Sequence, residues 1–322
     1  MPMPQGLLSL YGPGVPVTAA QLSHPWISGV SLRLRWCDIQ PNPWMLDTSY
    51  LDTQLAIIRS FKLSWNFSVQ SGEAAPDWLY RMAWPVNFRD ASGTLQRMPC
   101  PWDMTAMSFW TWLVAQLGAK YGGDPLLSHV KTGGPLSSTT EEDMLLPGGP
   151  NGGSQLTSQF WNNYGANWNR LFGAEMTSAD ASAAAFPGQM LTFQGVASGL
   201  PGVDAIGEEA VSERMIQYFT QRYPGRTTVQ NNGLSAFWNW KYLDTLGGQT
   251  VTGYQTLWSI LNDPTWRMNG GVPGDPLNIT KAAVNRAISA GAQYLEIYHA
   301  DLVSPILAPV WQQLEAKWGP VT

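Results

Sequence analysis

Charged side chains are scarce in this chain of 322 residues: Asp, Glu, Lys and Arg together make up 13% of it, against about 25% in an ordinary globular protein. No run of Lys and Arg stands anywhere, and the formal net charge is -5. Phosphate backbones are held by clustered cations, so this composition excludes a nucleic-acid partner. Cysteine is almost missing, with Cys37 and Cys100 alone. That removes a disulfide framework, and spacing does not say whether the two pair. His24, His129 and His299 are the only histidines and none stands in a metal-ligand spacing, so neither a metal nor a cofactor is expected. The GxSxG elbow of serine hydrolases is missing as well. No apolar run reaches the roughly 18 residues of a membrane span, and no basic segment leads into an apolar one. Neither a membrane partner nor a signal peptide is therefore expected in this sequence, and location stays open between the cytoplasm and export with a signal peptide removed.

What is present is punctuation and tryptophan. The 32 glycines and 24 prolines are spread between apolar segments instead of being gathered in one linker, which predicts one domain over 1–322 with many loops. Strand signals lie at Gly6 to Tyr11, Gly29 to Trp36, Leu63 to Gln70, Ser128 to Thr132, Gln189 to Gln194, Thr227 to Gln230, Thr250 to Gln255 and Gln293 to Tyr298. Helical periods lie between them, at Ser49 to Phe61, Met104 to Lys120, Ser158 to Phe172, Glu208 to Arg222, Thr256 to Leu261 and Ile279 to Ala290. Strands alternating with helices signal a parallel sheet, and the length suits an α/β barrel, for which about 250 residues is typical. The fold expected is a (β/α)8 TIM barrel with long βα loops at 71–101, 133–154 and 195–206. An open doubly wound sheet is the competitor, but no Gly-rich nucleotide fingerprint follows its first strand. Residues 84–102 read as a β-hairpin turning at Ala91-Ser92-Gly93.

Functional groups gather at the predicted strand ends, where barrel enzymes place their chemistry. The segment GVSLRLRWCDIQP delivers Arg35, Trp36 and Asp38, and LSWNFSVQSGEAAPDWLY delivers Trp65, Gln70, Ser71, Glu73 and Trp78. A pyranose presents an apolar C–H face that stacks on an aromatic ring, so Trp36, Trp65 and Trp78 read as sugar plates, with core packing as the plain alternative for each of the 17 tryptophans. Amides both donate and accept, which suits sugar hydroxyls. Gln70, Gln194, Gln230 and Asn232 fill that role, with turn formation the alternative for Asn231-Asn232-Gly233, and Trp238 follows with a further ring. A carbohydrate is the partner these groups predict.

Cleaving a glycosidic bond ordinarily takes two carboxyl groups. Glu141, Glu142 and Asp143 are clustered after the fourth strand signal, where mutual repulsion raises a pKa toward that of a general acid; a solvated loop or helix start is the alternative. Glu296 lies inside an apolar strand, YLEIYHADL, sharing a face with Tyr298. A buried carboxylate is costly unless paired or used, so Glu296 is either catalytic or held in an ion pair, for instance with Arg33 or Arg35.

On RLRWCDIQP, APDWL, GGPLSSTTEEDMLLP and YLEIYHADL the chain resembles the retaining (β/α)8 glycoside hydrolases that include β-galactosidases and cellulase-like enzymes. The resemblance implies a glycosidase with a proton donor after the fourth strand, at Glu141 or Glu142, and a nucleophile ending the seventh. The usual Asn-Glu pair is missing at the fourth strand, and the seventh, GQTVTGYQTLW, offers Gln255 and no acid. Three readings follow: Gln255 is an engineered replacement of Glu, Glu296 supplies the second carboxylate, or the barrel binds glycans without cleaving them.

Overall fold

The computed structural model describes residues 1–89, 94–134, 168–194, 208–237 and 250–318. Its strands are β1 (Gly6–Tyr11), β2 (Ile27–Arg35), β3 (Ser64–Gln70), β4 (Pro85–Arg89), β5 (Leu95–Pro99), β6 (Leu127–Lys131), β7 (Met190–Gln194), β8 (Thr227–Leu234), β9 (Val251–Thr256) and β10 (Tyr294–Tyr298). Eight of them close a parallel barrel in the order β1-β10-β9-β8-β7-β6-β3-β2, so β6, β9 and β10 are its fourth, seventh and eighth staves. Each of the eight strand signals read from the sequence falls on one stave. The chain is a (β/α)8 TIM barrel. The other two strands, β4 and β5, pair antiparallel as the expected hairpin, whose turn residues lie outside the described set.

Helices form where the sequence supplies both a stop and a stripe. Asp103 caps Met104–Tyr121 by accepting from the Thr105 and Ala106 amides, and Asp275 caps Pro276–Ser289 with proline in the first turn. The helix Trp168–Ala185 runs well past the expected end at Phe172, because its second half, TSADASAAA, packs through small side chains that carry little apolar periodicity. Thr256 to Leu261 form no helix. The amides of Ile260 and Leu261 donate instead to the carboxylate of Asp301, at 2.8 and 3.1 Å, which ties this loop to the short helix that follows β10. No helix among the described residues is long and apolar enough to cross a membrane, and Cys37 and Cys100 are free thiols.

Alternation along each stave separates two environments. Val30, Leu32 and Leu34 of β2, Trp65 and Phe67 of β3, and Leu191 and Phe193 of β7 join one apolar layer under the helices, while Val229, Leu295 and Ile297 join a second. The residues between them point inward. At the bottom, Leu8, Met190, Val251 and Tyr294 form an apolar floor. Gly253 makes that floor possible, because a Cβ there would lie 2.0 Å from Cζ of Tyr294. The barrel interior above the floor is polar apart from Leu10 of β1.

Candidate functional site

Glu296 is the centre of this interior. It is fully buried, with one oxygen 2.7 Å from Nζ of Lys131 and accepting from Nε2 of Gln230 at 3.1 Å, and the other accepting from Nδ2 of Asn66 at 3.4 Å. The network continues outward. Ser31 donates to Asn66, Tyr294 donates to Gln230 at 2.9 Å, and Gln230 and Gln194 both donate to Oδ1 of Asn232, at 2.6 and 3.4 Å. Six staves thus contribute polar groups to one connected cluster.

Electrostatics in the cluster are set by Lys131. Burial alone would push the Glu296 carboxyl up, but the adjacent ammonium outweighs it and, with His129 nearby, holds the carboxyl well below the usual carboxylate range. Glu296 is therefore an ionised carboxylate at neutral pH. The Nε2 of His129 stands 3.9 Å from Glu296, too far for a hydrogen bond, and burial lowers the pKa of this histidine. Its Nδ1 lies 2.9 Å from the Ser128 hydroxyl, which itself donates to the Trp65 carbonyl at 3.2 Å.

Gln255 lies beside Glu296 in the sheet register, on the stave next to it. Its parity with Gly253 turns it inward, and its Oε1 is buried without a hydrogen-bond partner. His129 Nε2, Ser68 Oγ and Asn232 Nδ2 are also buried and unpartnered. Buried polar atoms of this kind are ordinarily satisfied by water or ligand, so an inward-facing cluster of them marks where polar ligand groups would be received. Tyr298 is half-buried with the Arg33 guanidinium 5.8 Å from its ring centroid. Half-buried Gln70 ends β3 on the inward parity. Arg35 is exposed on the rim and paired with Asp38 at 2.7 Å.

Two of the three proposed sugar plates, Trp36 and Trp65, are fully buried. Trp36 is fully buried, edge-on to Trp110 at 5.2 Å, with Nε1 donating to Gln40. Trp65 is fully buried, donates to Asp124 at 3.1 Å and meets Tyr121 edge-on. Trp78 packs against Phe109 at 4.7 Å and donates to the Gln40 carbonyl. Trp36 and Trp65 have no open face to stack on a sugar and belong to the packing between barrel and helices, whereas Trp78 is half-buried. The reason for Trp65 is parity: it shares the outward face of β3 with Phe67. The Asn231-Asn232-Gly233 segment is an irregular end of β8 that carries an Asx-turn, the Gly233 amide donating to Oδ1 of Asn231 at 2.6 Å. Glu296 has its ion partner in Lys131 rather than in Arg33 or Arg35. Glu141, Glu142 and Trp238 lie outside the described residues.

Lys131, His129 and Asn66 were not singled out as site residues from sequence. The signal was available, since HVK repeats in β6 what LEI does in β10, a charge on the polar phase of an otherwise apolar strand. Asn66 is fully buried inside the barrel. Among the described residues no group of three or more His, Cys, Asp and Glu side chains is placed to hold a metal ion.

No protein-family model matches this chain, and no curated protein does. Solved structures do match. The catalytic domain of β-amylase from Paenibacillus polymyxa aligns over 99% of this chain and 100% of its own, with a TM-score of 0.65 and 12% identity. A xylanase from Cellvibrio japonicus in complex with xylopentaose aligns over 98% of this chain and 62% of its own, at 0.55 and 10%. Endo-glycoceramidase II from Rhodococcus sp., as its lactosyl-enzyme intermediate, aligns over 92% and 73%, at 0.53 and 12%. At these identities the likeness is one of fold, and the fold is the (β/α)8 barrel.

Proposed function

We propose that this chain is a glycoside hydrolase acting at the C-terminal mouth of its barrel. Glu141 or Glu142, following β6 in the sequence, is the proton donor, and Glu296 is the second carboxylate. The observation that carries this reading is the carboxylate of Glu296, buried in a polar interior with Nζ of Lys131 2.7 Å away. A nucleophile or base must be charged when the substrate arrives, and Lys131 keeps it so. Gln255 takes the place of the seventh-strand acid and contributes its free carbonyl oxygen to substrate hydroxyls. Gln70, Gln194, Asn232 and Tyr298 position the sugar, with Arg35 on the rim and Trp238 as an additional ring. The partner is an oligo- or polysaccharide or a simple glycoside.

One observation favours a second reading, a glycan-binding barrel that does not cleave. Both oxygens of Glu296 are engaged and no part of its side chain is exposed. Hydrolysis of a panel of aryl glycosides and oligosaccharides separates the two. Cleavage by the native chain should fall by about 10²- to 10⁴-fold in Glu142→Gln or Glu141→Gln, the range removed with a general acid, and should also be lost in Glu296→Gln with the fold retained by circular dichroism. Activity gained only in Gln255→Glu would move the second carboxylate to β9. Silence in every variant, with glycan binding kept, would establish the binder.

A further inference from the structure

Trp44 is exposed and conformationally costly at once. It occupies the turn Asn42-Pro43-Trp44-Met45, closed by the Met45 amide donating to the Asn42 carbonyl at 3.2 Å. Pro43 presets the first corner of such a turn, and the second corner takes a positive φ, where glycine or asparagine ordinarily stands. Trp44 stands there with φ 58°. A left-handed backbone costs an L-residue with a Cβ roughly 1–2 kcal/mol, and 58% of this large apolar side chain remains in solvent. Folding gains little from either feature. Backbone strain that persists at an exposed position points to function.

The ring is also fixed. It leans on Phe109 with centroids 4.4 Å apart and meets Trp112 edge-on at 5.5 Å, both on the first half of the helix Met104–Tyr121. Its remaining surface stays open between the exposed Asn42, Pro43 and Met45, which bring no charge. The loop runs from the C-terminal end of β2 into the helix Ser49–Ser60, so the platform sits at the same end of the barrel as the mouth, outside the ring of staves.

From this geometry we infer that Trp44 is an accessory saccharide-binding platform, taking one pyranose of an oligo- or polysaccharide whose other residues lead toward the mouth. The inference rests on the carbohydrate reading proposed above. The occupant is chosen by size and chemistry. The open part of one Trp side chain is on the order of 100–150 Å², the scale of one sugar face, whereas a stable protein interface takes about 800 Å² from each partner. A flat ring bordered by an amide, a proline and a methionine suits the C–H face of a sugar with a hydroxyl toward Asn42.

The test is native gel electrophoresis of the full chain through soluble xylan, starch, β-glucan and galactan, comparing it with Trp44→Gly and Trp44→Phe. Glycine suits this backbone, so Trp44→Gly keeps the fold, checked by thermal melting. The native chain should be retarded by at least one polysaccharide. Trp44→Gly should bind about tenfold more weakly, the change that ~1.4 kcal/mol of lost stacking produces, with Trp44→Phe between the two. Equal retardation of native chain and Trp44→Gly would overturn the platform, as would no retardation by any polysaccharide. A change of oligomeric state in Trp44→Gly, seen by size-exclusion chromatography, would overturn it in favour of a contact between copies. Hydrolysis of short aryl glycosides by the native chain judges the proposed activity separately. A chain that cleaves them but passes through every gel unretarded keeps that activity and loses the platform.

Discussion

On β3, Trp65 and Phe67 point out of the barrel into an apolar layer, while Asn66 and Ser68 point into it. The same division holds on β10, where Leu295 and Ile297 pack outward and Glu296 joins Lys131, Gln230 and Asn66 inside. All of these side chains are buried, yet the two faces are built on opposite principles. The outer face follows the ordinary rule that apolar area leaves water. The inner face does not, although the interior of a (β/α)8 barrel is commonly filled with branched apolar residues. Stability would be served at least as well by apolar packing, since buried ion pairs are often matched or exceeded by hydrophobic replacements. An interior that keeps a carboxylate, an ammonium and several amides at the mouth end is arranged for something other than stability. The apolar floor of Leu8, Met190, Val251 and Tyr294 shows that the same staves can pack in the usual way where no ligand is expected.

Removing one charge from the inner face breaks the contrast most directly. Lys131→Met leaves Glu296 buried and unpaired, and unfolding by urea should show a loss of ~3–5 kcal/mol, as when one partner of a buried pair is deleted. Adding Glu296→Leu to it should recover most of that loss while leaving the chain inactive on any glycoside the native protein cleaves. If the double variant stays as unstable as the single one, the pair is structural and the inner face is built for stability after all.

The boundary between floor and network is tested at Gly253. Its alanine variant puts a methyl against the Tyr294 ring, which is itself tied to Gln230 by a 2.9 Å hydrogen bond. Overpacking of this kind costs about 1–3 kcal/mol, and the melting temperature should fall accordingly. The Tyr294→Phe change in the same background separates the two contributions: a ring freed from Gln230 shifts more easily, so the alanine should then cost less. Equal cost in both backgrounds would mean that the network does not hold the floor.

The barrel was legible in sequence because its information is local. Each stave is a short alternating or apolar run bounded by turn residues, and eight such runs separated by helical stretches leave few arrangements. What alternation could not tell is which phase faces inward when both are buried. Trp65 and Gln70 were read together as mouth residues although they stand on opposite phases of β3, and only the closed barrel decides between them. Glu296 is conspicuous as a carboxylate in an apolar strand, whereas Lys131 and His129 stand four staves away across the barrel, and their meeting with β10 is brought about by the closed barrel and not by proximity in sequence. The path of residues 257–263 depends on Asp301, some forty positions on, and no local signal announces it.

The smallest effect concerns the same interior as a function of pH. His129 and Glu296 both have depressed pKa values in the folded chain. A depressed group favours the folded state fully above its unfolded pKa, about 6.5 for His and 4.3 for Glu, and that contribution drains away as pH falls toward the folded value. Stability should therefore begin to fall below about pH 6.5 through His129, and more steeply below about pH 4.3 as Glu296 adds to it. In His129→Gln the upper part of this decline should disappear while the lower part remains, which urea titrations at closely spaced pH would show. A decline between pH 6.5 and 5 that survives the substitution would place its origin on the outer, solvent-facing charges, and would remove His129 from the groups by which the inner face differs from the outer.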